Sequence, residues 1–278
     1  MGLVKQIDDS IGELMVHLKT SGLLEQTLIV FCADHGDYLG DHWLGEKEFF
    51  HEPSIRTPLI IVDPDPRADV SRGTRCNALV ESVDLLPTFL DVFGGPAVPH
   101  VLDGQSLRPF LFGQTPTDWR QVVVSEYDYS FQDARIELQT PPRDCWLRMI
   151  FDGRWKYILA EGYRPMLFDL ASDPHEFNDL GGSEQPVHVE ARQRMREMLF
   201  AWARQPRQRV TVPDGLIASN EVQARITESG VLIGYIDEQD LIEQRKSFKP
   251  RFASSNPLVK RTLDRLTQPI NLHDEDLA

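Results

Sequence analysis

Asp34, His35, Asp41, His42 and Lys47 fall within fourteen residues, directly after the apolar run Leu28 to Ala33. A carboxylate beside an imidazole suits a divalent metal, and a lysine further along suits an anionic substrate. A plainer reading competes. In Ala33-Asp34-His35-Gly36, Asp34 could cap the next element while Gly36 supplies a positive φ in a turn. The tripeptide alone favours that turn. The wider cluster on one loop favours chemistry, because functional side chains concentrate on loops held by a rigid scaffold.

The elements that must hold this loop follow from periodicity. Residues 27–33 form an apolar run with the character of a strand buried on both faces, as in a parallel sheet, and 58–62 is a second such run. Ligands of open α/β sheets bind outside the carboxyl ends of the strands, where Asp34 and His35 lie. Residues 2–21 carry apolar side chains at helical spacing, with Gly22 placed as a C′ residue. A helix is expected over 82–93, with Ser82 near its N-cap and Pro87 in its first turns.

After residue 113 the texture turns β-rich. Short runs at 121–126, 146–151, 155–159 and 166–168 predict an antiparallel sheet, with Asp152-Gly153 as a hairpin turn. A helix over 187–204 between Pro186 and Pro206 completes a small α+β module. Beyond 207 the chain is polar, with surface or interface helices expected at 237–246 and 257–266. The expected organisation is therefore 1–113, 114–206 and a C-terminal extension 207–278.

A length of 278 residues, 41% hydrophobic and 26% charged, accommodates a substantial core. The net charge of −14 argues against nucleic acid as a partner, and any anionic substrate must be drawn in by local charge. Cys32, Cys76 and Cys145 are widely spaced, with no C-x-x-C pair. They fit reduced buried thiols, with Cys32 in the core. No stretch approaches a membrane span, and residues 1–26 lack a signal-peptide core, so the default expectation is cytoplasmic with no membrane partner.

The stretches Gln6–Glu13, Thr27–Gly36, Leu39–His42 with Lys47, and Ile55–Ile61 carry a recognisable pattern. So do Val83-Asp84-Leu85-Leu86-Pro87-Thr88 and the segment Leu167–Glu176 with its Asp173-Pro174-His175-Glu176. Together they resemble the sulfatase branch of the alkaline phosphatase superfamily. The Asp-His pair, the lysine thirteen residues on and the long C-terminal extension look most like phosphonate monoester hydrolases.

The resemblance implies an alkaline-phosphatase-like α/β fold with a parallel or mixed sheet, followed by the small antiparallel subdomain. It implies that Asp34 and His35 bind one divalent ion (Ca²⁺, Mn²⁺ or Mg²⁺). Lys47 would then serve catalysis at the oxygens of a small anionic sulfate, phosphonate or phosphate ester. His42 and His51 could contribute but are expected to be structural hydrogen-bonders. Asp37 and Asp41 are expected to be solvated or capping, and His175 to lie in a structural turn. A homo-oligomer is implied for the full protein.

The resemblance also implies a formylglycine nucleophile made within C/S-x-P-x-R. No cysteine here has Pro two residues on and Arg four on. That motif and further metal aspartates belong to a segment preceding the Asp-His strand in the family. The expectation is therefore an N-terminally truncated catalytic half, inactive alone, rather than a pseudoenzyme, since Asp34, His35 and Lys47 are all retained. The rival reading is a non-catalytic fragment acting through protein contacts. A zinc site of His35, His42 and His51 ranks last, because spacings of seven and nine match no helical or knuckle arrangement.

Overall fold

Leu3, Ile7, Ile11, Leu14 and Leu18 recur at helical spacing, and residues Gly2–Thr20 form one helix, α1. The structure, a computed structural model, describes residues 2–47, 49–99, 101–205, 226–227 and 230–231. Gly22 ends α1 in the left-handed conformation, at φ 71°. Its N–H donates to the Lys19 carbonyl at 3.3 Å and the Leu23 N–H to the Leu18 carbonyl at 2.9 Å, a Schellman closure.

The two apolar runs become β1 (Ile29–Cys32) and β2 (Leu59–Val62). They pair with each other antiparallel, Ile29 opposite Val62 and Cys32 opposite Leu59. The parallel pairing that the apolar character suggested is not made between these strands. Burial on both faces is corrected as well, since Phe31, Ile60 and Val62 are exposed. Cys32 is exposed rather than in the core, and Cys76 is too, leaving Cys145 the buried thiol. A continuous apolar run does not itself say how many layers cover the strand, and two paired strands supply only one neighbour each.

Between β1 and β2 lie the candidate loop and a single turn of helix, α2 (Glu52–Ile55). After β2, a 3₁₀ turn at Ser82–Asp84 leads into α3 (Leu85–Phe93), which Gly94 closes at φ 71°. Glu81, next to Ser82, is the N-cap of the 3₁₀ turn, where the Asp84 carboxylate turns back to accept from the Glu81 N–H at 2.8 Å. The short helix α4 (Arg108–Leu111) follows.

The second sheet comprises β3 (Val123–Asp128), β4 (Trp146–Phe151), β5 (Trp155–Ala160) and β6 (Met166–Asp169), antiparallel in sequential order. The short helix α5 (Asp133–Glu137) lies in the β3–β4 connection. Gly153, at φ 94°, makes the expected hairpin turn, with Asp152 Oδ1 accepting from the Arg154 and Trp155 N–H groups. Alternation along the strands separates two cores. Ile150, Trp155, Tyr157 and Leu167 face Ala191, Met195 and Leu199 of α6 (Pro186–Ala203). Met149, Ile158 and Phe168 face the other way and pack on Phe50, which belongs to the candidate loop. The second sheet is thus the floor on which that loop rests.

Among the described residues no helix is long and apolar enough to cross a membrane. A separate unit, residues 214–278, contains the two-residue strands β7 (Ile226–Thr227) and β8 (Gly230–Val231), paired antiparallel. The helices expected at 237–246 and 257–266 lie outside the described residues.

Candidate active site

Asp34 and His35 leave the carboxyl end of β1, and the chain then turns sharply through Gly36. The Gly36 N–H donates to the Ser54 carbonyl at 2.6 Å, tying the exit of β1 to α2. Gly36 does not have the positive φ of a turn glycine. It is glycine because a Cβ there would lie 1.9 Å from the Pro53 carbonyl oxygen. Close backbone approach, rather than turn conformation, is the reason for this residue. The Ser54 hydroxyl donates to the Lys47 carbonyl, so one residue of α2 holds both ends of the loop.

This registration brings three of the sequence-derived candidates together. His35 Nδ1 lies 2.7 Å from the Gly36 carbonyl oxygen, which can only accept, so Nδ1 carries the proton. His35 Nε2 then keeps its lone pair. It sits 3.1 Å from Lys47 Nζ and 3.5 Å from Asp34 Oδ2. The Asp34 side chain is 87% exposed and His35 39% exposed, so both open to solvent. The His35 N–H donates to Asp34 Oδ1 at 3.0 Å and, with the Lys47 charge, holds the Asp34 carboxyl below the usual carboxylate range.

A carboxylate oxygen and an unprotonated imidazole nitrogen 3.5 Å apart are close enough to share one cation at bonds of about 2.0–2.6 Å, in place of the Lys47 contact that Nε2 makes here. The carbonyl on Nδ1 is the kind of outer contact that fixes a metal-binding imidazole. The pair fits as part of a ligand set. Among the described residues no group of three or more His, Cys, Asp or Glu side chains gathers at one point, whereas a hard cation takes about six to eight ligands.

The other candidates are placed differently. Asp37 Oδ1 accepts from the Leu39 N–H at 2.8 Å, a local turn contact. Asp41 is exposed. His42 stacks on His51, ring centroids 4.1 Å apart, and also meets Phe177, on which His175 stacks in turn. The buried Tyr38 hydroxyl lies 2.9 Å from His51 Nδ1. Burial, then the His42 and Lys156 charges, lower the His51 pKa to about 4, so the ring is neutral near pH 7.

The sign of that shift sets a pH dependence. The unfolded chain protonates His51 near 6.5 and the folded chain only near 4, so acidification through this window favours unfolding. Discounted for the ring's partial exposure, the loss is about 1–2 kcal/mol by about pH 4.5. His51→Gln should flatten the pH slope of the unfolding free energy across that window. Equal slopes in both proteins would contradict this origin.

A group that sequence reasoning missed lies beneath the loop. Lys156 of β5 is fully buried and reaches Glu176 Oε1 at 2.6 Å and Glu52 Oε1 at 2.9 Å. The available signal was slight: a lysine at an inward position between Trp155 and Tyr157. Its partners lie 104 and 20 residues away, since 156 − 52 = 104 and 176 − 156 = 20.

A family model described as N-sulphoglucosamine sulphohydrolase, C-terminal, matches residues 40–205. A multifunctional alkaline phosphatase superfamily protein of Trinickia caryophylli is 38% identical over 184 residues, which cover 65% of this chain and 35% of that protein. An N-acetylglucosamine-6-O-sulfatase of Bacteroides thetaiotaomicron is 32% identical over 192 residues, covering 66% of this chain and 32% of the relative. Among solved structures, the phosphonate monoester hydrolase of Silicibacter pomeroyi superposes with a TM-score of 0.64 at 35% identity, over 81% of this chain and 42% of that one. That of Agrobacterium radiobacter gives 0.64 at 28% identity, over 84% and 44%. The chain spans about a third of the length of these curated relatives.

Proposed function

The chain belongs to the sulfatase family of the alkaline phosphatase superfamily, and from that premise we propose that it carries part of the site of a metal-dependent ester hydrolase. The substrate class is a sulfate, phosphonate or phosphate monoester or diester, with phosphonate favoured by His35 and by the two solved relatives. The observation that carries the reading is the convergence of Asp34, His35 Nε2 and Lys47 Nζ at the end of β1.

Asp34 and His35 would hold the cation, which supplies charge neutralisation at the ester oxygens when bound. Lys47 adds an ammonium to the same volume and stabilises charge on the transferring group or the departing oxygen. The Gly36 carbonyl keeps the His35 proton on Nδ1, and so leaves the Nε2 lone pair as the one that would ligate a cation. A bound cation together with Lys47 would have to offset locally the net charge of −14, which by itself repels an anionic ester.

The nucleophile belongs to a different part of the family's site. With no cysteine in C-x-P-x-R and two candidate ligands, residues 1–278 alone should show negligible turnover of an aryl sulfate or an aryl phosphonate monoester with Mn²⁺. Robust turnover would overturn this part of the reading. Weak Mn²⁺ binding should remain detectable by titration, and Asp34→Ala combined with His35→Ala should weaken it at least tenfold. Unchanged affinity in that double variant would remove Asp34 and His35 from the site.

A non-catalytic role through protein contacts is the second reading. The exposed apolar row of α1, with Leu3, Ile7 and Leu14 open to solvent, favours it.

A further inference from the structure

We infer that Lys156, clamped between Glu52 and Glu176, is a positioning residue that sets the His35–Lys47 geometry from within the second sheet. It rests on the reading above that these two side chains act together.

The connection is continuous and made of short contacts. Lys156 Nζ donates to the Phe50 carbonyl at 2.9 Å and pairs with Glu52 Oε1 at 2.9 Å and Glu176 Oε1 at 2.6 Å. The ammonium thus makes two hydrogen bonds, to Phe50 and Glu52, and a close ion pair with Glu176. The other oxygen of Glu176 accepts from the Glu52 backbone N–H at 2.7 Å. Glu52 is therefore gripped at both its backbone and its side chain, and it is the first residue of α2. Two residues on, Ser54 accepts from the Gly36 N–H and donates to the Lys47 carbonyl. Gly36 in turn orients His35, and Lys47 meets its Nε2. Phe50, packed on Met149, Ile158 and Phe168, closes the same path through apolar contact.

The cluster is also costly enough to need a reason. Lys156 and Glu176 are both fully buried, and Glu176 holds a left-handed backbone at φ 57°. Apolar residues at both 156 and 176 would fill the space without desolvating a charge, and such replacements often stabilise more than a buried ion pair does. What an apolar residue could not do is fix Glu52 and Phe50 at defined positions, which directional hydrogen bonds to a rigid strand achieve.

The test uses the full chain without added metal, with His35 imidazole ¹⁵N shifts recorded at a pH where the ring is neutral. Wild type should show the Nδ1–H tautomer. Lys156→Met should move His35 towards the Nε2–H form that free side chains favour. The charge-balanced Lys156→Met/Glu176→Gln leaves no charge from this pair buried, and it should do the same if the single variant does not fold. Met195→Ala, which damages the opposite face of the same sheet, is the control for general loosening: matched or greater loss of Tm should leave the tautomer as in wild type. A wild-type tautomer in the double variant, an equal shift in Met195→Ala, or no Nδ1–H preference in wild type would each overturn the inference. A Mn²⁺ titration of the same proteins separates the two readings. Tautomer shifts without wild-type Mn²⁺ binding would leave Lys156 a positioning residue and refute the metal site, whereas at least tenfold weaker binding in the double variant supports both.

Discussion

Gly36→Ala is expected to cost about 3 kcal/mol of stability and to separate His35 from Lys47. The added Cβ would lie 1.9 Å from the Pro53 carbonyl oxygen, 2.9 Å from its carbon and 3.2 Å from the Ser54 carbonyl oxygen. All three are backbone atoms, so no rotamer change relieves the clash. The strand exit and α2 must move apart, and the 2.6 Å bond from Gly36 to Ser54 is lost with the contact. The residue 36 carbonyl that fixes the His35 tautomer is then turned away with the shifted backbone, and Lys47 loses its fixed distance to Nε2. Denaturant unfolding reads the first effect and the His35 ¹⁵N shifts the second. A stability change within about 0.5 kcal/mol would show that the approach of Gly36 to Pro53 is not a tight one.

Asp84→Ala is expected to be still more damaging, at about 3–5 kcal/mol. Asp84 is fully buried, accepts from the Glu81 N–H at 2.8 Å and the Gln105 N–H at 2.9 Å, and meets the Arg120 guanidinium through both oxygens. Its removal strips the cap from the helix start. It also leaves Arg120, whose side chain is 13% exposed, with Glu81 at 3.5 Å as its remaining carboxylate partner here. The guanidinium stays charged when its partner goes, because arginine is too basic to lose its proton in a protein. Asp84→Asn keeps an acceptor and should cost less. Urea unfolding orders the variants, and a loss below about 1 kcal/mol in Asp84→Ala would refute the assignment.

These two positions illustrate what was legible in the residues and what was not. Asp84 and Gly36 both belong to recognisable stretches, yet the local reading placed Ser82 near the cap without a role for Asp84, and offered Gly36 only a turn conformation. What buries Asp84 and what requires Gly36 come from elsewhere in the chain: Arg120 and Gln105 for the first, Pro53 for the second. The same is true of Cys32, whose apolar neighbours suggested a core position while its exposure depends on how many layers cover β1.

Elements governed by contacts within a few residues were legible. The period of α1 and the glycine that closes it, the Asp152-Gly153 hairpin and the alternation that builds the second sheet all follow from side-chain spacing and local backbone chemistry. So did the gathering of Asp34, His35 and Lys47, because one short loop carries them all. The sequence by itself therefore determined the types of element, the family pattern and the side chains that open to solvent at the end of β1. Only the tertiary structure decided that β1 and β2 pair antiparallel, that Gly36 is required by a neighbouring carbonyl, and that Lys156 lies beneath the loop. The physical reason is distance along the chain. The Glu52 N–H and the Glu176 carboxylate that accepts it are 124 residues apart, and no local spacing encodes a hydrogen bond that exists only once the sheet is folded.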